Sequence, residues 1–172
     1  MLLQITERIE PTGEYDDELV LPFDQRQKSR LRVKLASGVE AALMLERGTI
    51  LRGGDCLRSG DGRIIRVVAA NEPVQRVTAH NSQQLMRAVY HLANRHVPLQ
   101  ICDGWLRLEQ DHVLKAMLLG LGMKVTEEFA PFEPEAGAYG GGHRHHGHDD
   151  HGHDDHSHDD HSHDDHDHHH EH

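Results

Sequence analysis

The chain has 172 residues, with 18 Lys+Arg against 29 Asp+Glu and 19 His, a formal net charge of −11. Residues 143–172 carry about −9 of it on 15 His, 9 Asp, one Glu, one Arg, two Gly and two Ser, which leaves residues 1–142 nearly neutral. A near-neutral body with an acidic tail argues against nucleic acid as a partner. No run of 18 or more apolar residues exists to span a bilayer. The N-terminus, Met1 to Arg8, lacks the basic flank and apolar stretch of a signal peptide, and Cys56 and Cys102 are too few for a disulfide framework. The expectation is a soluble, cytoplasmic protein without membrane contacts.

From Leu2 to Ala70 the pattern is that of strands. Leu3-Gln4-Ile5-Thr6 and Leu31-Arg32-Val33-Lys34-Leu35 alternate, and Arg63 to Val68 is β-branched. Ser37-Gly38 and Ser59-Gly60-Asp61-Gly62 supply turns between them. This predicts a β-rich N-terminal domain over residues 1–72, with Asn71-Glu72-Pro73 as the boundary. Beyond it Val74 to Thr78 reads as a short strand. Asn81 or Ser82 can cap a helix whose apolar face is Leu85, Ala88, Val89, Leu92 and Ala93 and which Pro98 stops by His96 or Val97. Leu99 to Cys102 and Trp105 to Leu108 flank Asp103-Gly104 as a hairpin. Asp111 can cap a second helix ending near Gly120-Leu121-Gly122, and Lys124-Val125-Thr126 is a last strand. The β-α-β-β-α-β order predicts a ferredoxin-like domain over residues 73–130, so that the fold class is α+β. Residues 131–142, rich in Pro and then Gly, read as an extended connector.

The tail behind it has no apolar side chain and cannot bury a core, so chain entropy is expected to keep it disordered. His-(Gly/Ser)-His-Asp-Asp repeats four times from His146 to Asp165. Imidazole suits nickel, zinc and copper. His143, His145, His146, His148, His151, His153, His156, His158, His161, His163, His166, His168, His169, His170 and His172 are therefore candidate metal ligands. A floppy polydentate chain selects metals poorly and prepays no geometry, so the tail reads as a collector of ions and not as a catalyst.

The body histidines divide. His91 and His96 are five apart and do not share a helix face. His96, at a helix terminus, suits either a capping interaction with the negative dipole end or a metal. His112, in the first turn of the second helix, reads as a solvated side chain, and His80 lies in a turn. Arg26, Lys28, Arg30, Arg32 and Lys34 all fall at even positions, so on a strand they would share one face. That face is either solvated, a docking surface for an acidic partner, or an electrostatic landing place for the protein's own acidic tail. Signatures of catalysis are missing: Gly48 to Asp55 has the glycines of a phosphate loop without its lysine, and no His-Glu-x-x-His or Gly-x-Ser-x-Gly occurs. The protein is not expected to be an enzyme.

Several stretches resemble the urease accessory protein UreE family, the nickel metallochaperones. They are Pro22-Phe23-Asp24 with Lys28-Ser29-Arg30, then Leu51-Arg52-Gly53-Gly54-Asp55, then Tyr90 to Gln100 through Asn94-Arg95-His96, Asp111-His112-Val113-Leu114, and Pro131-Phe132-Glu133-Pro134-Glu135-Ala136-Gly137-Ala138-Tyr139. The resemblance implies an N-terminal β domain for protein contacts and a ferredoxin-like metal-binding domain. It implies a homodimer joined through the metal-binding domains, with His96 of each chain as the central ligand. His112 matches a peripheral ligand position, although Gln110 stands where some members carry a second histidine. It further implies nickel delivery to the urease apoprotein, working with the urease accessory GTPase and other accessory proteins. Two rival readings are a nickel or divalent-metal storage or detoxification protein, and a peptide-binding chaperone with incidental metal binding.

Overall fold

The computed structural model describes residues 2–137, and the expected tail lies outside them. The N-terminal part is a six-stranded sheet built from β1 (Leu3–Ile9), β2 (Asp17–Leu21), β3 (Arg30–Lys34), β4 (Glu40–Met44), β5 (Cys56–Ser59) and β6 (Ile64–Ala69), with a single turn of helix, α1 (Phe23–Arg26), between β2 and β3. The strand order is β2-β6-β5-β1-β4-β3. Alternation sets the inner face: Val33 and Leu35 follow β3, Ala41, Leu43 and Leu45 follow β4, and Ile65 and Val67 lie on β6, all buried in one cluster with Ile5, Leu19 and Leu57. Full burial of such side chains stabilises by about 1.5–3 kcal/mol each before entropy is counted. The sheet curls until its two edges meet. The Ala36 N–H, just past β3, donates to the Glu18 carbonyl of β2 at 2.8 Å, and the Ser37 hydroxyl bonds the Asp17 carboxylate.

The second part runs β7 (Asn71–Thr78), α2 (Ser82–Ala93), β8 (Gln100–Cys102), β9 (Trp105–Glu109), α3 (His112–Gly120), β10 (Lys124–Pro131). Its strands are ordered β10-β7-β9-β8 and pair antiparallel throughout, which is the split βαβ arrangement the sequence pattern predicts. Val77, Leu106, Leu108 and Met123 meet Ala88 and Leu92 of α2 and Leu118 of α3 in one core. Two boundaries differ from expectation. β7 already begins at Asn71, so Ala70 alone separates it from β6. β10 is eight residues long, because Glu127 to Pro131 pair with Asn71 to Gln75 although they do not alternate in polarity. On an edge strand the backbone ladder suffices without a buried face.

Of the segment read as a connector, residues 131–137 form a strap, and residues 138–142 lie outside the described residues. Phe132 is fully buried against Phe23 of α1 and Val74 of β7, the two rings meeting edge to face at 5.6 Å. Arg26 is the corrected member of the basic row. It lies in α1, not on a strand, and is 0% exposed. Its guanidinium donates to the carbonyls of Leu21 at 3.1 Å, Leu51 at 3.2 Å and Phe132, and pairs with Glu133 at 2.6 Å. A buried charge is tolerated only when its donors are met in this way. Glu133 also accepts from the Gly53 N–H at 3.1 Å, so residues 131–133 join the two sheets through an ion pair whose guanidinium is buried and whose carboxylate is half-buried.

Candidate metal centre

α2 forms where the sequence places its apolar stripe, with Leu85, Ala88, Val89 and Leu92 inward and the Asn81 side chain accepting from the Gln84 N–H at 2.9 Å. Its end is the departure from expectation. The helix stops at Ala93, and the chain then closes in a Schellman motif. The His96 N–H donates to Ala93 at 2.9 Å and the Val97 N–H to Leu92 at 3.3 Å. That geometry requires a left-handed residue at the turn, a place usually taken by glycine. Here it is His96, at φ 55°, the sole non-glycine with positive φ among the described residues. For an L-residue this costs about 1–2 kcal/mol relative to its right-handed alternative. Val97 and Leu92 both belong to the core, and that contact holds the motif closed.

The imidazole of His96 is exposed and stands at the lip of a recess of about 280 Å³, with Arg95, Val97 and Pro98 on its own side and Glu109, Gln110, Asp111 and Leu114 on the other. Most polar groups of that far side are committed. Asp111 caps α3, accepting from the Val113 and Leu114 N–H groups at 2.8 Å each. The Gln110 amide donates to the Val74 carbonyl at 3.3 Å, and on the near side the Arg95 guanidinium donates to the His91 carbonyl at 2.8 Å. Glu109 is the exception: its carboxylate meets no hydrogen-bond donor or cation among the described residues. Burial, then Glu72 and Asp24 nearby, push its pKa up, an environment that an added cation would relieve. The sequence offered no motif at Glu109. It is found only because the end of β9 faces the end of α2.

Of the other candidates, His112 is the first residue of α3 and exposed. His91 is half-buried with its ring edge-to-face on Tyr90 at 5.4 Å. Among the described residues no three or more His, Cys, Asp or Glu side chains converge. Lys28 lies before β3 rather than on it, and Arg30, Arg32 and Lys34 do share the exposed face of that edge strand. The fifteen tail histidines lie outside the described residues. No helix among the described residues is long and apolar enough to cross a membrane.

Comparison with known proteins accords with this two-part build. Residues 3–70 match the N-terminal domain of the UreE urease accessory protein and residues 72–172 its C-terminal domain. The urease accessory protein UreE of Janthinobacterium sp. (strain Marseille) is 55% identical over 139 residues, 81% of this chain and 82% of the relative. That of Alkalilimnicola ehrlichii is 54% identical over 140 residues, 81% of this chain and 86% of the relative. That of Ralstonia nicotianae is 57% identical over 128 residues, 74% and 61%. With both of its domains matched in order and more than half of the aligned residues identical, the chain belongs to the UreE urease accessory protein family, a family of accessory proteins and not of enzymes.

Proposed function

We propose that this protein carries nickel to the urease apoprotein during assembly of its active site, holding the ion at His96 between two protomers. The observation that carries the reading is His96 itself: an exposed imidazole fixed in a left-handed turn, on a recess that Glu109 lines from the other side. Strain kept at one residue in an otherwise relaxed domain points to a use for that residue. A two-fold axis beside His96 supplies a second imidazole. Met86 and Tyr90, one turn apart on α2 and leading toward His96, are 64% and 63% exposed, and their apolar surface suits burial against a second copy.

The His-rich tail gathers nickel and raises its concentration near that site, as a tether does by mass action. The strap serves this geometry. The Glu135 N–H donates to the Leu99 carbonyl at 2.7 Å, three residues from His96. Zinc and copper compete for the same donors. Because the ion displaces protons from imidazole, loading weakens as the pH is lowered. His112 is a peripheral ligand in this reading, and Lys28, Arg30, Arg32 and Lys34 offer a docking surface to the accessory GTPase or the apoprotein.

The test is urease activation in cells at limiting nickel. Delivery through His96 predicts that His96→Gly abolishes activation, whereas deletion of residues 143–172 gives a milder defect that added nickel repairs. Storage predicts the reverse order, and a peptide-binding chaperone predicts full activation with His96→Gly.

A further inference from the structure

The second sheet has one face that neither of its helices covers. Val77, Leu106 and Leu108 point into the helix core, so Arg76 on β7 and Trp105 and Arg107 on β9 stand on the other side. Cross-strand register lays that open face out in rows. Glu128, Val74 and Glu109 form the first, and Phe132 of the strap packs on Val74. Thr126, Arg76 and Arg107 form the second. Beyond it Lys124 stands beside Thr78, with Trp105 two residues from Arg107 on the same strand. The acids of the face thus lie at the strap, and the cations gather past it.

Arg76 and Arg107 are directly opposite each other, a like-charged pair that costs stability unless something answers it. The answer from the protein's own groups is partial. Both guanidinium groups lie over the Trp105 ring, 4.6 and 4.8 Å from its centre, a favourable contact for a cation. Arg107 also reaches Glu128 at 3.3 Å and the Pro131 carbonyl at 2.8 Å, but its Nε meets no acceptor. Arg76 and Lys124 are exposed and pair with no acid among the described residues.

We propose that this end of the open face binds a doubly charged oxyanion, phosphate or the phosphate group of a small monoester, between Arg76 and Arg107 with Lys124 and the Thr126 hydroxyl beside it. Three cations with one carboxylate in ion-pair reach leave about two positive charges, which a phosphate dianion matches and a single carboxylate does not. Guanidinium forks present paired donors to such oxygens, and the threonine hydroxyl supplies one more. Because both guanidinium groups already engage the indole, the ring is no bare platform for a base. The phosphate group is therefore the part that is recognised.

The inference does not rest on the nickel reading, because it is tested without metal. Trp105 is the sole tryptophan of the chain, so its fluorescence reports this site. Full-length protein in EDTA at about pH 8, where imidazoles are neutral, is titrated with inorganic phosphate at constant ionic strength, and the affinities of variants are read by calorimetry. The expected result is a saturable change in Trp105 emission, with affinity about 10-fold or more weaker in Arg76→Gln and reduced to a lesser degree in Lys124→Gln. Arg30→Gln, on β3 of the first sheet, leaves it unchanged. Thermal melting of each variant shows that the fold persists. AMP in place of phosphate separates the two sources: equal or weaker binding assigns the site to free phosphate, and tighter binding assigns it to a monoester. An emission change that chloride reproduces at the same ionic strength, no saturable binding, or undiminished binding by Arg76→Gln would each overturn the proposal.

Discussion

The two helices of the second domain end in the same motif on different residues. α3 closes with the Gly122 N–H on Leu119 and the Met123 N–H on Leu118, both at 3.0 Å, and Gly122 takes the left-handed position at φ 82°. α2 closes with the same two bonds, and His96 takes that position at φ 55°. In both, the residue three before the cap is fully buried, Leu118 in one and Leu92 in the other. The backbone problem is identical, so the difference lies in what the side chain does. Glycine meets the turn without strain. Histidine gives up about 1–2 kcal/mol there and sets an imidazole at the mouth of a recess.

The comparison can be broken from its foundation outward. Leu92→Ala and Leu118→Ala should each destabilise by about 2–5 kcal/mol in urea denaturation, since each empties a fully buried site beneath a helix end. A large gap between the two would show that the ends are not equivalent. Exchanging the turn residues comes next. Gly122→His should destabilise by about 1–2 kcal/mol and His96→Gly should stabilise by a similar amount, read as opposite shifts in the denaturation midpoint. A Cβ at Gly122 meets nothing within 4 Å, so the first value isolates backbone strain from packing. The helix starts differ more gently. Asp111 satisfies two N–H groups and Asn81 one. Asp111→Ala should therefore cost somewhat more than Asn81→Ala, both near 1 kcal/mol.

The smallest effect lies outside the helices, in the β5–β6 turn, where Gly62 is also left-handed at φ 91°. The Arg63 guanidinium, then the Ser59 hydroxyl, hold the Asp61 carboxyl down at about 2. Its folded value is below its unfolded one, so its contribution is present above pH ~4 and is lost as pH falls toward 2. Asp61→Asn should flatten that acid limb of the stability profile and leave neutral pH nearly unchanged.

Much of this architecture is legible in the sequence, and the misreadings have physical causes. The element order of the second domain follows from apolar period, caps and Gly-containing turns, and the end of α3 is announced by Gly122. The end of α2 is misplaced because Pro98 forbids helix only just before itself, whereas the chain turns earlier, on a histidine that local preference does not assign to a left-handed turn. β10 is read too short because strand pairing at an edge asks nothing of side-chain alternation. Arg26 looks like one of five cations on a strand face. Its burial depends on Glu133, 107 residues away, and no local pattern reports that. Glu109 is hidden for the same reason, as it acquires meaning only from the helix end opposite. His96 is visible through the Asn94-Arg95-His96 motif, but not its strain.

Nickel titration of the protein ending at Gly142, beside the same protein carrying His96→Gly, tests the central claim most directly. Every residue of the described cores is retained in that chain, and glycine suits the turn, so lost binding cannot be ascribed to a lost fold. The account predicts one tightly held ion per dimer for the parent and none for His96→Gly, with the variant the more stable of the two. Retention of the ion by His96→Gly, or no ion bound by the parent, would contradict it.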